Sequence, residues 1–194
     1  MSKDILKAIE VLRSGGIVIF PTDTAFGIGC RIDDRKTVER LFKIRKRPKT
    51  KAVPVLFSTI DMVREYVKKI PQDAEELMRK YWPGALTLIL QCNKTRVPSL
   101  VRGGGETLGV RVPNHKIIRE IISKVGVPIL GPSANFSGGK TPFMFEDLDP
   151  EFVDSADYVL NLKLSGGKDV STVIDCAVKP WEVVRKGAVH IMSS

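Results

Sequence analysis

The sequence predicts a single α/β domain with a largely buried, mixed sheet flanked by helices. Segments of helical period alternate with short apolar runs of strand length along the chain, and runs that are apolar throughout are buried on both faces. No linker, low-complexity tract or repeat divides residues 1–194, which therefore read as one domain. At 194 residues and 43% hydrophobic content, the chain can fill one core.

Residues 3–14 form the first expected helix, with Ile5, Leu6, Ile9 and Leu12 on one face and Gly15-Gly16 as its stop. "IVIF" (17–20) is a buried strand. Asp34 caps a second helix that turns Val38, Leu41 and Phe42 inward. "AVPVLF" (52–57) is a strand, and "STIDMVREYVKK" (58–69) a helix opened by Ser58 or Thr59. A helix from Asp73 ends before "WPGALTLILQ", a turn leading into a strand. "TLGVRVP" (107–113) is a strand, Asn114 caps the helix "HKIIREIISKV", and "VPIL" (127–130), "ADYVLNL" (156–162), "STVIDC" (171–176) and "WEVVRKG" (181–187) are strands. Residues 93–105 and 131–150 read as loops, and in open α/β sheets ligands gather at loops beyond strand ends.

The bulk numbers narrow the function. A net charge of +9, from 31 basic and 22 acidic residues, points to an anionic partner: nucleotide, pyrophosphate or RNA. No apolar stretch approaches the roughly 18 to 20 residues that cross a bilayer, so no membrane role is expected. The start of the chain carries acidic residues in a helical pattern, unlike a signal peptide. Cys30, Cys92 and Cys176 are isolated and odd in number, with no CxxC pair, which argues for a reducing cytoplasm and against both a disulfide framework and a structural zinc site. His115 and His190 stand apart without triad context, and no metal-ligand spacing occurs.

Four segments carry chemistry. "PTDTAFGIG" (21–29) sets two threonine hydroxyls and a carboxylate at a strand end, where glycines admit a ligand or serve only an Asx-type turn. "KIRKRPKTK" (43–51) holds six cations in nine positions, and Pro48 makes Arg47 extended. Its guanidinium forks suit phosphate, while an exposed charge run or a nucleic-acid patch are the alternatives. In "TLGVRVP", Arg111 lies between two valines of a buried strand and needs an anion, either a structural Asp or Glu or a ligand carboxylate. "LGPSANFSGGKTP" (130–142) imitates a P-loop, but Ala134 replaces the first glycine and Pro142 follows Thr141 at once. It imitates a nucleophile elbow too, with Asn135 in place of the second glycine, so Ser133 reads as a hydrogen-bonding group. Ser171 and Arg185 add a hydroxyl and an arginine at further strand ends.

Taken in order, "GGIVIFPTDTAFGIG", "RKRPKTKAVPVL", "YWPGALTLIL", "GVRVPNH", "GPSANFSGGKTP", "STVID" and "RKGAV" resemble the YrdC-like family of threonylcarbamoyl-AMP synthases, from about Ile9 to Val189. The chain resembles the short form, without the further C-terminal domain of some members. The resemblance implies a twisted mixed sheet and a deep basic cavity in which L-threonine, bicarbonate (or CO2) and ATP give threonylcarbamoyl-AMP and pyrophosphate. Separate transfer proteins place that group on adenosine 37 of ANN-decoding tRNAs, and the family also brings Mg2+ with its ATP. Carried over by position, Thr24, Leu56, Arg111, Gly131 and Ser171 would meet threonine, with Arg111 on its carboxylate. Arg47, Lys51, Thr107, Ser133, Asn135, Thr141 and Arg185 would meet ATP, and Arg45 and Arg47 are the implied catalytic cations. This chain departs from the pattern at Arg45 (the family's K-x-R-P lysine), Phe26 (tyrosine), Ala52-Val53 (Pro-Leu) and Lys186 (proline). An RNA-binding module of the same fold without turnover, for tRNA or double-stranded RNA, is the alternative from another class. The related carbamoyl-transfer domain of hydrogenase maturation proteins is a second enzymatic one.

Overall fold

The computed structural model describes residues 1–163, 165–167 and 169–191. α1 (Lys3–Arg13) opens on Ser2, whose hydroxyl accepts from the Ile5 amide, and it buries Ile5, Ala8, Ile9 and Leu12. Leu6, expected on that face, is 51% exposed. One residue is a 100° turn of the helix, which carries Leu6 away from Ile5 while Ala8 takes the inward place. β1 (Val18–Pro21) and β2 (Phe26–Gly29) form an antiparallel hairpin. β2 was not among the expected strands: the stretch read as a strand end with ligand-admitting or turn-forming glycines continues as a strand, and all four of its residues are buried. Gly29 belongs to packing, since a β-carbon there would lie 2.1 Å from the Leu130 carbonyl oxygen.

α2 (Arg35–Ile44) is capped by Asp34, which accepts from the Thr37 amide at 3.1 Å, and it buries Val38, Leu41 and Phe42 as expected. β3 is only Val55–Leu56. Pro54 has no amide hydrogen for a ladder, and Val53 donates instead to Val101. α3 (Ile60–Tyr66) is capped by Thr59 and stops three residues short of expectation, because Val67 turns extended and bridges to Cys92. α4 (Gln72–Tyr81) and β4 (Leu86–Gln91) follow, then β5 (Thr107–Arg111).

α5 (Lys116–Val125) is capped by the ring of His115, not by Asn114: Nδ1 accepts from the Ile118 amide at 3.4 Å. Nε2 lies 3.4 Å from the Lys163 carbonyl. Burial holds the His115 pKa below its ordinary 6.5. The unfolded chain therefore binds the proton more readily. This contribution to stability is complete above about pH 6.5 and is lost as pH falls through the lowered folded value. Thermal melts from pH 8 to 5 should show the decline, and His115→Asn, which keeps a capping acceptor, should flatten it; an unchanged slope would remove the assignment.

β6 (Ile129–Leu130) leads into the long segment read as a loop, which contains a 3₁₀ turn at Phe145–Asp147 and closes at α6 (Pro150–Asp154), a five-residue helix absent from the sequence reading. Its signals are short: Asp149 accepts from two amides and Pro150 sits in the first turn. β7 (Tyr158–Val159), β8 (Thr172–Asp175) and β9 (Glu182–Arg185) complete the chain.

The strands form two mixed sheets rather than the one expected: β2-β1-β7, and β6-β3-β5-β4-β8-β9. They meet where the outer edge of β2 pairs with the chain just beyond β6, through Ile28 N to Pro132 O (3.0 Å) and Ala134 N to Phe26 O (2.8 Å). The principal core includes Ile17, Phe57, Leu88 and Val110, and a second holds α1 and α5 against Val18, Phe20 and Leu56.

Candidate functional site

Five neighbouring strands of the larger sheet present one residue each toward one site: Leu56, Arg111, Thr87, Ser171 just before β8, and Arg185, and Gly131 just beyond β6 joins them beside Leu56. The β1–β2 turn (Thr22, Thr24), the chain after α2 (Arg45, Arg47), and Ser133 and Thr141 close the other sides. They enclose a cavity of about 180 Å³.

Arg111 is buried at the floor, its side chain 7% exposed. Its Nη2 donates to Asp23 at 2.5 Å, Nη1 to the Thr24 hydroxyl at 2.9 Å and Nε to the Gly84 carbonyl at 3.0 Å. Of the alternatives left open by the sequence, the structural carboxylate is therefore present. Burial lowers the Arg111 pKa and the Asp23 carboxylate raises it. A guanidinium carries five N–H groups. With three spent here, two are left for a ligand. Thr22 builds the turn above: its hydroxyl donates to the Ala25 carbonyl at 2.7 Å and accepts from the Thr24 and Ala25 amides. "PTDT" is thus both a threonine-built turn and a wall of the cavity.

At the opposite end of the row, Arg185 donates to the Ser171 carbonyl (3.0 Å) and hydroxyl (2.9 Å), and Ser171 pairs with Thr87 at 2.9 Å. On the remaining side, Arg45 is 3% exposed and donates twice to Asn135, to its carbonyl and its side-chain oxygen. Its Nη1 is buried without a protein partner. Burial, then the neighbouring Arg47, pull the Arg45 pKa down to about 10, so it stays cationic at neutral pH. The Asn135 oxygen also accepts from the Ser133 hydroxyl at 2.8 Å. One amide thereby aims a cation and a hydroxyl into the same space.

Most of the residues singled out in the sequence converge here: Thr24, Arg45, Arg47, Leu56, Arg111, Gly131, Ser133, Thr141, Ser171 and Arg185 all line the cavity. Three do not. Asn135 stands behind the wall as a support. Lys51 is exposed, and its carbonyl accepts from Arg47 Nε at 3.0 Å. Thr107 begins β5 opposite Gln91; four residues of strand separate it from Arg111 by about 13 Å. Gly131 needs to be glycine because a β-carbon would sit 2.3 Å from Leu56 Cγ, and its amide is already committed to Pro54. Thr87 was not singled out, although it had a signal, a lone hydroxyl inside "LTLIL". Asp23 was noted as the carboxylate of "PTDT", but its pairing with Arg111 had no signal in the sequence.

A family profile described as telomere recombination, covering Sua5, YciO and YrdC, matches residues 10–187, which include every residue lining the cavity. The chain belongs to the Sua5/YciO/YrdC family. A relative from Pyrococcus abyssi named threonylcarbamoyl-AMP synthase is 32% identical over 95% of this chain. The match spans 54% of that relative, about half its length. Bacterial members of the family at 27–31% identity carry the same name. An Escherichia coli member named YciO is 30% identical over 94% of this chain and 88% of its own length. Among solved Sua5/YciO/YrdC structures, P. abyssi Sua5 complexed with L-threonine superimposes with a TM-score of 0.90, at 32% identity, over 94% of this chain and 54% of that one.

Among the described residues no group of three or more His, Cys, Asp or Glu side chains is placed to hold a metal ion, and no helix is long and apolar enough to cross a membrane.

Proposed function

We propose that this chain is a threonylcarbamoyl-AMP synthase: an adenylyl-transferring enzyme that joins L-threonine, bicarbonate or CO2, and ATP into L-threonylcarbamoyl-AMP and pyrophosphate. The product supplies the group that separate proteins transfer to tRNA. The observation that carries this reading is the single cavity with Arg111 at its floor, two N–H groups still to spend, and Arg45 with Ser133 on a second side. It provides for a carboxylate and a polyphosphate at once. The relatives named for this activity and the threonine-bound Sua5 structure support the same substrates.

Carboxylate binding uses the two remaining N–H groups of Arg111, as a fork on two oxygens. Once the ammonium group has lost a proton to solvent, its nitrogen attacks the carbon of CO2, one C–O π bond opening as the N–C bond forms, and a second proton leaves the nitrogen to solvent to give the N-carboxylate. An oxygen of that carboxylate attacks the α-phosphorus of ATP, the α–β bridging bond breaks, and pyrophosphate leaves with the electron pair. No covalent enzyme intermediate is needed; the protein's work is to hold two anions close together and neutralise the charge on the leaving group. Arg45, with an unspent Nη1, and Ser133 and Thr141 face that task. The cavity offers arginines and hydroxyls, which do not fit a protein-held divalent cation. Mg2+ would enter as part of the nucleotide substrate, on phosphate oxygens.

The test is incubation with ATP, bicarbonate and each amino acid in turn, measuring pyrophosphate. Threonine-selective release is expected, and release indifferent to the amino acid would overturn the reading. The RNA-binding alternative is favoured by one observation: of the six cations at 43–51, Arg45 and Arg47 line the cavity while Lys43, Lys46, Lys49 and Lys51 are exposed. That module predicts salt-sensitive RNA affinity with no pyrophosphate release.

A further inference from the structure

We propose that Thr87 selects the side chain of the amino acid, acting with Ser171 as a hydroxyl pair that recognises a β-hydroxyl group. This rests on the synthase reading above.

The register of the sheet places Thr87 beside the carboxylate-binding group. Leu88 pairs with Val110 across β4 and β5, so one step further along the ladder Thr87 lies next to Arg111. On the other flank of Arg111, Leu56 is its direct partner across β3 and β5. An amino acid seated with its carboxylate on Arg111 has an apolar side chain to one side and a hydroxyl to the other. Threonine carries a methyl and a hydroxyl on its β-carbon, which match those two flanks. Valine lacks the hydroxyl and serine lacks the methyl.

The orientation of Thr87 is settled by packing. A β-carbon at Gly109 would sit 3.6 Å from Thr87 Cγ2, so the methyl lies over Gly109 and the hydroxyl turns toward Ser171. A β-branched side chain in a strand has little freedom to turn elsewhere. Proton counting then shows what the pair presents. Arg185 can only donate, so the Ser171 oxygen accepts from it. Between Thr87 and Ser171, one hydroxyl donates to the other. Whichever does, one O–H of the pair is left to donate to a ligand oxygen. Thr87 is 4% exposed, and a buried hydroxyl left unmatched by a valine side chain disfavours that ligand.

Steady-state pyrophosphate release with L-threonine, L-serine and L-valine, beside calorimetric titration of each amino acid, tests this on wild type, Thr87→Val and Thr87→Ser. Thr87→Val, the near-isosteric loss of the hydroxyl, is expected to reduce the threonine-over-valine ratio of kcat/KM about tenfold. The change should lie mainly in the KM for threonine, with the KM for ATP unmoved. Thr87→Ser, which keeps the hydroxyl, should retain the wild-type ratio. If Thr87→Val fails to fold, Thr87→Ala carries the same measurement. Threonine dependence in the wild type with an unchanged ratio in the hydroxyl-less variant overturns this inference alone. A wild-type protein that neither binds threonine nor releases pyrophosphate with it overturns the synthase reading and this inference together.

Discussion

Arg111→Ala should abolish threonine-dependent pyrophosphate release and weaken the fold at the same time. The guanidinium is the carboxylate-binding group of the proposal, and it also neutralises Asp23, whose side chain is 5% exposed. Removing one partner of a buried pair leaves the other charge stranded, at a cost of about 3–5 kcal/mol. The two losses separate in a double variant. Arg111→Met with Asp23→Asn removes both charges and should recover most of the denaturant stability that Arg111→Ala loses, without recovering turnover. Denaturant melts and pyrophosphate assays on the three proteins check this. Activity surviving in either variant would remove Arg111 from the site.

Arg45→Met is the second large effect, expected to lower kcat by about 10²–10³ while the KM for threonine stays near the wild-type value. The reasoning is local. Arg45 lines the cavity, is cationic at neutral pH, and keeps one buried nitrogen without a protein partner. A charge held there meets polyphosphate oxygens without having to reorganise. Arg45→Lys restores the lysine typical of the resembled pattern but gives up the fork on Asn135. It should retain more activity than Arg45→Met, and the loss should show as a higher KM for ATP. Steady-state kinetics varying each substrate separate these outcomes; equal losses for Met and Lys would point to packing rather than charge.

Much of this architecture was legible before the structure, for identifiable reasons. α1, α2 and α5 show apolar residues at helical spacing, and Asp34 caps α2 as its position suggests. β2 was not legible as a strand because "FGIG" has two glycines and its outer-edge hydrogen bonds go to Pro132 and Ala134, fixed by tertiary approach. The division into two sheets was hidden for a related reason: an apolar run is buried alike whichever sheet it joins. At the site, hydroxyls and arginines at strand ends were visible one at a time. Asp23 could not be matched to Arg111, 88 residues away, since nothing local ties them together. Thr107 and Lys51 came from resemblance by position. Position does not convey reach, and they stand at the far end of β5 and on the outer surface. The cap of α5 shows the limit at the smallest scale, with Asn114 the commoner capping type and His115 the residue whose backbone lies at the helix start.

The most direct measurement is a crystal structure with L-threonine and a non-hydrolysable ATP analogue bound together. The account predicts the threonine carboxylate on Arg111 with its hydroxyl toward Thr87 and Ser171, and the triphosphate against Arg45 and Ser133 in the same cavity. Ligands bound at separate surfaces, or a triphosphate resting on Lys43, Lys46 and Lys49 outside the cavity, would contradict it.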